Sequence, residues 1–218
     1  MSKTETASSK NPNEAPENLA SAAEALKRGH VIVFPTETLY GLGADALNEA
    51  AVEKVFQLKG RASGNPISVL VANQEMLDTL IAKVPSTAQR LIDQYWPGPL
   101  TLVLPGRKNI SKYLCNSSGG VGVRISSQPI AASLVNGLGR PVTATSANPS
   151  GKEPARTLQE AKNYFGNQVD VFIEGGTLAS QSGSTVVEVM EDSIRIIREG
   201  EIDAYELRQV LGEENVIG

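Results

Sequence analysis

Short apolar runs separated by helical patterns constrain this chain most. VIVF at 31–34, ISVLVA at 67–72, TLVLP at 101–105, VGVRI at 121–125, PVTAT at 141–145 and VDVFI at 169–173 each suit a buried strand, and none is long enough to span a membrane. Helical patterns fill the gaps. LASAAEALKRG follows an Asn18 cap and stops at Gly29, and Asn48 to Lys59 sets Val52, Val55 and Phe56 on one face before Gly60. Further helices are expected over 74–82, over 86–95 with Ser86 as cap and WPGP as stop, over 128–139 and over 157–166. STVVEV and SIRIIRE flank MED as a hairpin, and DAYELRQVLG closes the chain as a helix. This alternation, broken by paired helices and a late hairpin, predicts an α/β fold built on a mixed sheet flanked by helices.

Residues 1–17 have almost no apolar side chains beyond alanine and are expected to form a disordered tail; 18–211 form one domain, and 212–218 a short C-terminal tail. One cysteine, Cys115, allows no internal disulfide, and with the single histidine, His30, it cannot build a Cys/His zinc cage. A reducing, cytoplasmic setting is the expectation, and the chemistry must run on groups other than imidazole and thiolate. Charge is uneven: residues 107–162 hold eight Lys/Arg and two acids, whereas 188–218 hold three Arg and nine acids.

Gly41-Leu42-Gly43-Ala44-Asp45-Ala46 matches a dinucleotide fingerprint, but six residues including Pro35 separate it from the preceding strand, so no helix N-terminus meets a pyrophosphate there. Lys59 and Arg61 at a helix end either offset the helix dipole or face a phosphate. In VGVRI the period of two puts Val121, Val123 and Ile125 on one side and Gly122, Arg124 and Ser126 on the other. Arg124 there is either a surface ion pair or a carboxylate clamp. Three polar clusters stand at strand ends: Thr36-Glu37-Thr38, Thr143 to Gly151, and Gly183-Ser184-Thr185. Turn capping accounts for each alone; together with the arginines they point to one cleft for a small anionic ligand.

FPTETLYGLGADA, KGRASGNPISVLV, YWPGPLTLVLP, GVGVRIS, TATSANPSGKEPART, GSTVVEV and IIREGEI, in that order, strongly resemble the YrdC family of threonylcarbamoyl-AMP synthases, from about Leu19 to about Leu211. The resemblance implies an open, twisted α/β sheet with a concave ligand cleft. It implies synthesis of L-threonylcarbamoyladenylate from L-threonine, bicarbonate and ATP, with Mg²⁺ carried by ATP, for threonylcarbamoyladenosine modification of tRNA. Lys59 and Arg61 would be catalytic. ATP would meet Lys59, Arg61, Asn65, Gly120, Ser146, Pro154 and Arg198; threonine would meet Thr38, Arg124, Ala144 and Ser184. Direct tRNA or RNA contact and docking onto proteins of the threonylcarbamoyl-transfer complex are further implied partners. Two departures stand out: Leu70 replaces a histidine found in many relatives, and Gly120 replaces a threonine found in some. The alternatives are a non-catalytic RNA-binding protein of the same fold, or a paralogue with another carbamoyl acceptor.

Overall fold

Helix ends follow the chemistry of their capping residues. The computed structural model describes residues 5–7, for which only the backbone is considered, and residues 19–60 and 66–218. Helix α1 (Leu19–Lys27) buries Leu19, Ala22, Ala23, Ala25 and Leu26; the Asn18 cap lies outside the described residues. Helix α2 (Glu49–Lys59) starts at Asn48, whose side chain accepts the Ala51 N–H, and ends at Gly60 in the left-handed region, φ 57°. Helices α3 (Gln74–Leu80), α4 (Ser86–Tyr95), α5 (Pro129–Leu138), α6 (Leu158–Phe165) and α7 (Ala204–Leu211) match the remaining patterns. At α4 the cap position is Pro85, which makes no side-chain cap bond, and Ser86 is the first helical residue rather than the cap. Capping boxes close the starts of α6 (Thr157 with Glu160) and α7 (Asp203 with Glu206).

The strands are β1 (Glu5–Ala7), β2 (Ile32–Pro35), β3 (Tyr40–Gly43), β4 (Val69–Leu70), β5 (Leu100–Pro105), β6 (Gly120–Arg124), β7 (Val142–Thr143), β8 (Thr145–Ser146), β9 (Val171–Ile173), β10 (Thr185–Val189), β11 (Ile194–Arg198) and β12 (Val216–Ile217). They divide into two mixed sheets, ordered β1-β9-β2-β3-β8 and β12-β11-β10-β5-β6-β4-β7. The division runs through PVTAT: Val142 and Thr143 pair with β4, and Thr145 and Ser146 pair with β3. The late hairpin β10–β11 forms as expected, with its register shifting between Val186 and Val187. Both segments read as tails contain a strand, since β1 pairs parallel with β9 and β12 pairs parallel with β11.

Strand β3 is absent from the sequence expectation, where Gly41 and Gly43 read as loop glycines. They are strand glycines because the Phe34 ring of β2 packs across them. A Cβ on Gly43 would come within 2.6 Å of Phe34 Cε1 and 3.2 Å of Val142 Cγ1. Overpacking of this kind costs about 1–3 kcal/mol. Gly43→Ala is therefore expected to lower the denaturant midpoint by that equivalent with an unchanged m-value, which equilibrium urea unfolding measures.

Most buried side chains form one core under the seven-stranded sheet and along β3, including Tyr40, Leu42, Leu91, Leu102, Val121, Val123 and Leu207. A smaller core joins α1 and α5 to β2 through Leu26, Phe34, Leu134 and Ile173. Among the described residues no helix is long and apolar enough to cross a membrane.

Candidate active site

The two sheets face a cavity of about 630 Å³, which is lined by residues from all three polar clusters. Thr36 and Thr38 come from the β2–β3 turn, Ala144 to Ser146 from β8 and its approach, and Gly183 and Ser184 from the start of β10.

Thr36 builds the first corner. Its hydroxyl donates to the Leu39 carbonyl at 2.7 Å and accepts the N–H groups of Thr38 and Leu39 at 3.3 and 3.2 Å. That turn holds the Thr38 hydroxyl 3.1 Å from the Thr36 hydroxyl and at the cavity wall.

Arg124 ends β6 as the alternation predicts: Val121 and Val123 enter the core while Gly122 and Arg124 line the cavity. Of the two readings open at the sequence level, the surface one fails, because the Arg124 side chain is 7% exposed. Its Nη1 lies 2.9 Å from Glu37 Oε1, out of line for a hydrogen bond, so neither atom has an aligned partner among the described residues. Burial pulls the Arg124 guanidinium below its ordinary value and Glu37 opposes that shift. Arg198 also lines the cavity, and burial together with the charge of Arg124 depresses it as well. Arginine stays protonated across any such shift, so a buried cation and a second, more exposed one share one pocket, a setting suited to anions.

Ser184 is fixed between neighbours. Its hydroxyl lies 3.0 Å from Thr101 Oγ1, and Arg198 Nη2 donates to its carbonyl at 2.6 Å. Ser146 is held from behind by Lys59, whose Nζ donates to the Ser146 carbonyl at 2.5 Å and to Asn148 Oδ1 at 3.1 Å.

Of the residues expected at the site, Thr38, Arg124, Ala144, Ser146, Ser184 and Arg198 all line the cavity. Lys59 does not; it is 2% exposed and turned onto the Ser146–Asn148 segment. Gly120 and Pro154 are also outside the lining. A side chain at 120 would meet Val103 Cγ1 at 2.7 Å and the Asn116 amide at 3.1 Å, so the space beside Gly120 is filled. Arg61 and Asn65 lie outside the described residues. Leu70 lines the cavity as a fully buried apolar wall beside Arg124, its register partner. Sequence reasoning missed Thr101, Asn116, Glu188 and Arg195. Period-two alternation carried the signal for Thr101, two residues before Val103 on the same strand face.

With this geometry in hand, the family model Sua5/YciO/YrdC, described as "Telomere recombination", matches residues 24–200. The chain belongs to the Sua5/YciO/YrdC family. Threonylcarbamoyl-AMP synthase of Pyrococcus abyssi is 37% identical over 193 residues, covering 88% of this chain and 56% of that protein. A putative threonylcarbamoyl-AMP synthase of Mycobacterium tuberculosis is 34% identical over 209 residues, covering 96% of each. The chain thus spans little more than half of the first relative and nearly all of the second. Pyrococcus abyssi Sua5 complexed with L-threonine superposes with a TM-score of 0.86 at 35% identity, covering 93% of this chain and 60% of that one. The Sua5/YciO/YrdC fold is therefore the fold of this chain, an α/β architecture of open mixed sheets flanked by helices.

Proposed function

We propose that this chain is a threonylcarbamoyl-AMP synthase, a nucleotidyltransferase that makes L-threonylcarbamoyladenylate from L-threonine, bicarbonate and ATP and releases pyrophosphate. One observation carries the reading: a buried guanidinium, Arg124, with an unaligned Nη1, stands in the same cavity as the hydroxyls of Thr38 and Ser184 and a second cation, Arg198. A carboxylate with an adjacent amine and hydroxyl suits the first three, and a phosphate chain suits the fourth. The names of the relatives and the threonine-bound Sua5 structure support the same assignment.

In the proposed reaction the threonine amine takes up bicarbonate with loss of water to give a carbamate. A carbamate oxygen then attacks the α-phosphorus of ATP, the bond to the β-phosphate oxygen breaks, and pyrophosphate leaves. Arg124 holds the threonine carboxylate, Thr38 and Ser184 orient the rest of the amino acid beside Ala144, and Arg198 and Ser146 meet the nucleotide. Arg61 and Asn65 would add phosphate contacts, and Gly120 and Pro154 would shape the nucleotide's surroundings. Such transfers depend on positioning and on neutralising charge, which these residues supply without imidazole. Mg²⁺ would enter as the counter-ion of the triphosphate. The product would feed threonylcarbamoyladenosine formation on tRNA through the proteins that transfer the group.

The test is pyrophosphate release with threonine and bicarbonate withheld in turn. Release is expected only when both accompany ATP. Threonine-independent release, or salt-sensitive RNA binding with no turnover, would overturn the assignment.

A further inference from the structure

We propose that Glu37 is the positioning residue that aims Arg124 at a carboxylate and makes the site discriminate for that group, an inference that rests on the assignment of Arg124 above. Glu37 is not part of the cavity lining; it stands behind Arg124, with its side chain 14% exposed. Its two carboxylate oxygens are engaged separately. Oε1 faces Arg124 Nη1 at 2.9 Å, and Oε2 accepts the Ser126 hydroxyl, whose oxygen in turn accepts the Gln128 N–H at 3.2 Å. Gln128 caps α5, so the chain of contacts runs from a helix N-terminus through Ser126 and Glu37 to the guanidinium. The other attachment of Glu37 is the turn braced by the Thr36 hydroxyl, which also carries Thr38 into the cavity.

Two consequences follow. A buried arginine on a flexible stem keeps one orientation only if its surroundings fix it, and Glu37 is its one ion-pair partner among the described residues. Charge balance is the second. Glu37 offsets the charge of the buried Arg124 guanidinium, while Arg198, an exposed residue at the cavity wall, keeps its charge for the nucleotide. Because the Arg124–Glu37 contact is out of line as a hydrogen bond, it anchors the guanidinium without committing Nη1 to an aligned bond.

The test compares L-threonine with L-threoninamide, which lacks the carboxylate, by calorimetric binding to the full chain and its variants. The unaltered chain is expected to favour threonine at least ~10-fold, and Glu37→Gln to bring that ratio toward 1 while ATP affinity holds within about 2-fold. Glu37→Asp is expected to recover part of the ratio. A purely structural role predicts something different: equal losses for threonine, threoninamide and ATP together with a lowered Tm, and that result would overturn the proposal. Should Glu37→Gln fail to fold, Ser126→Ala, which removes the hydroxyl on Oε2 and with it the acceptor of the Gln128 N–H, is expected to lower the ratio about 3-fold; a ratio kept at the original value in both Ser126→Ala and Glu37→Asp would also overturn it. If the unaltered chain binds both ligands alike, the assignment of Arg124 itself fails, and the role of Glu37 with it.

Discussion

Arg124→Ala is expected to raise the threonine concentration for half-maximal pyrophosphate release by on the order of 10²–10³-fold, with the ATP requirement changed far less. The size follows from the loss of a bidentate, charge-assisted contact in a desolvated site, where each hydrogen bond to a charged group is worth about 1.5–3 kcal/mol. Truncation also strands Glu37, 14% exposed, without its cation, and breaking a buried pair from one side costs about 3–5 kcal/mol of stability. The two effects separate in a double variant. Arg124→Ala with Glu37→Gln should regain much of the lost Tm, because no unpaired charge remains, yet regain none of the threonine affinity. Arg124→Lys keeps the charge but not the planar fork, so about a 10-fold loss is expected there. Steady-state titration of threonine at saturating ATP, with melting curves on the same samples, measures both quantities. Unchanged threonine dependence in Arg124→Ala would remove the carboxylate clamp from the mechanism.

Strands with strong apolar character were legible from the sequence because their side chains meet the core on at least one face. TLVLP and VGVRI became β5 and β6 within a residue, and the alternation of β6 correctly put Arg124 opposite Val123 across the sheet. Strand β3 was not legible: its Tyr-Gly-Leu-Gly sequence has low intrinsic strand preference, and its pairing depends on the Phe34 ring covering both glycines, a tertiary effect. The split of PVTAT between two sheets was hidden for a similar reason, since the turn at Ala144 is fixed by its N–H donating to the distant Ser68 carbonyl at 2.8 Å. At the site, polar clusters and arginines could be read as a group because they sit at strand ends. Glu37 belonged to such a cluster, but its pairing with Arg124 could not be read, because a loop glutamate reads as solvated until the fold closes a wall around it. Lys59 illustrates the converse. Its place at the helix end was legible, but the direction of its ammonium depends on the TSAN segment folding across it.

That direction makes Lys59 the second decisive position. Lys59→Met should keep the aliphatic stem packed while removing the donors to the Ser146 carbonyl and Asn148 Oδ1. Asn148 in turn donates to the carbonyls of Pro149 and Lys152, so the ammonium stands at the base of the loop that presents Ser146 to the cavity. One buried and one part-buried acceptor lose a charged donor, a cost of about 2–4 kcal/mol, which for a chain of this size lowers Tm by roughly 5–15 °C. Pyrophosphate release is expected to fall on the order of 10²-fold, since a displacement of about 1 Å in a positioning group has effects of that size. The two measurements together separate a lysine that supports the loop from one that acts only on phosphate. A supporting lysine gives coupled losses of Tm and turnover, with both present before any ATP is added. A lysine acting only on phosphate leaves Tm in the absence of ATP at its original value and loses turnover alone, and that pattern would move Lys59 from a support behind the site into its chemistry.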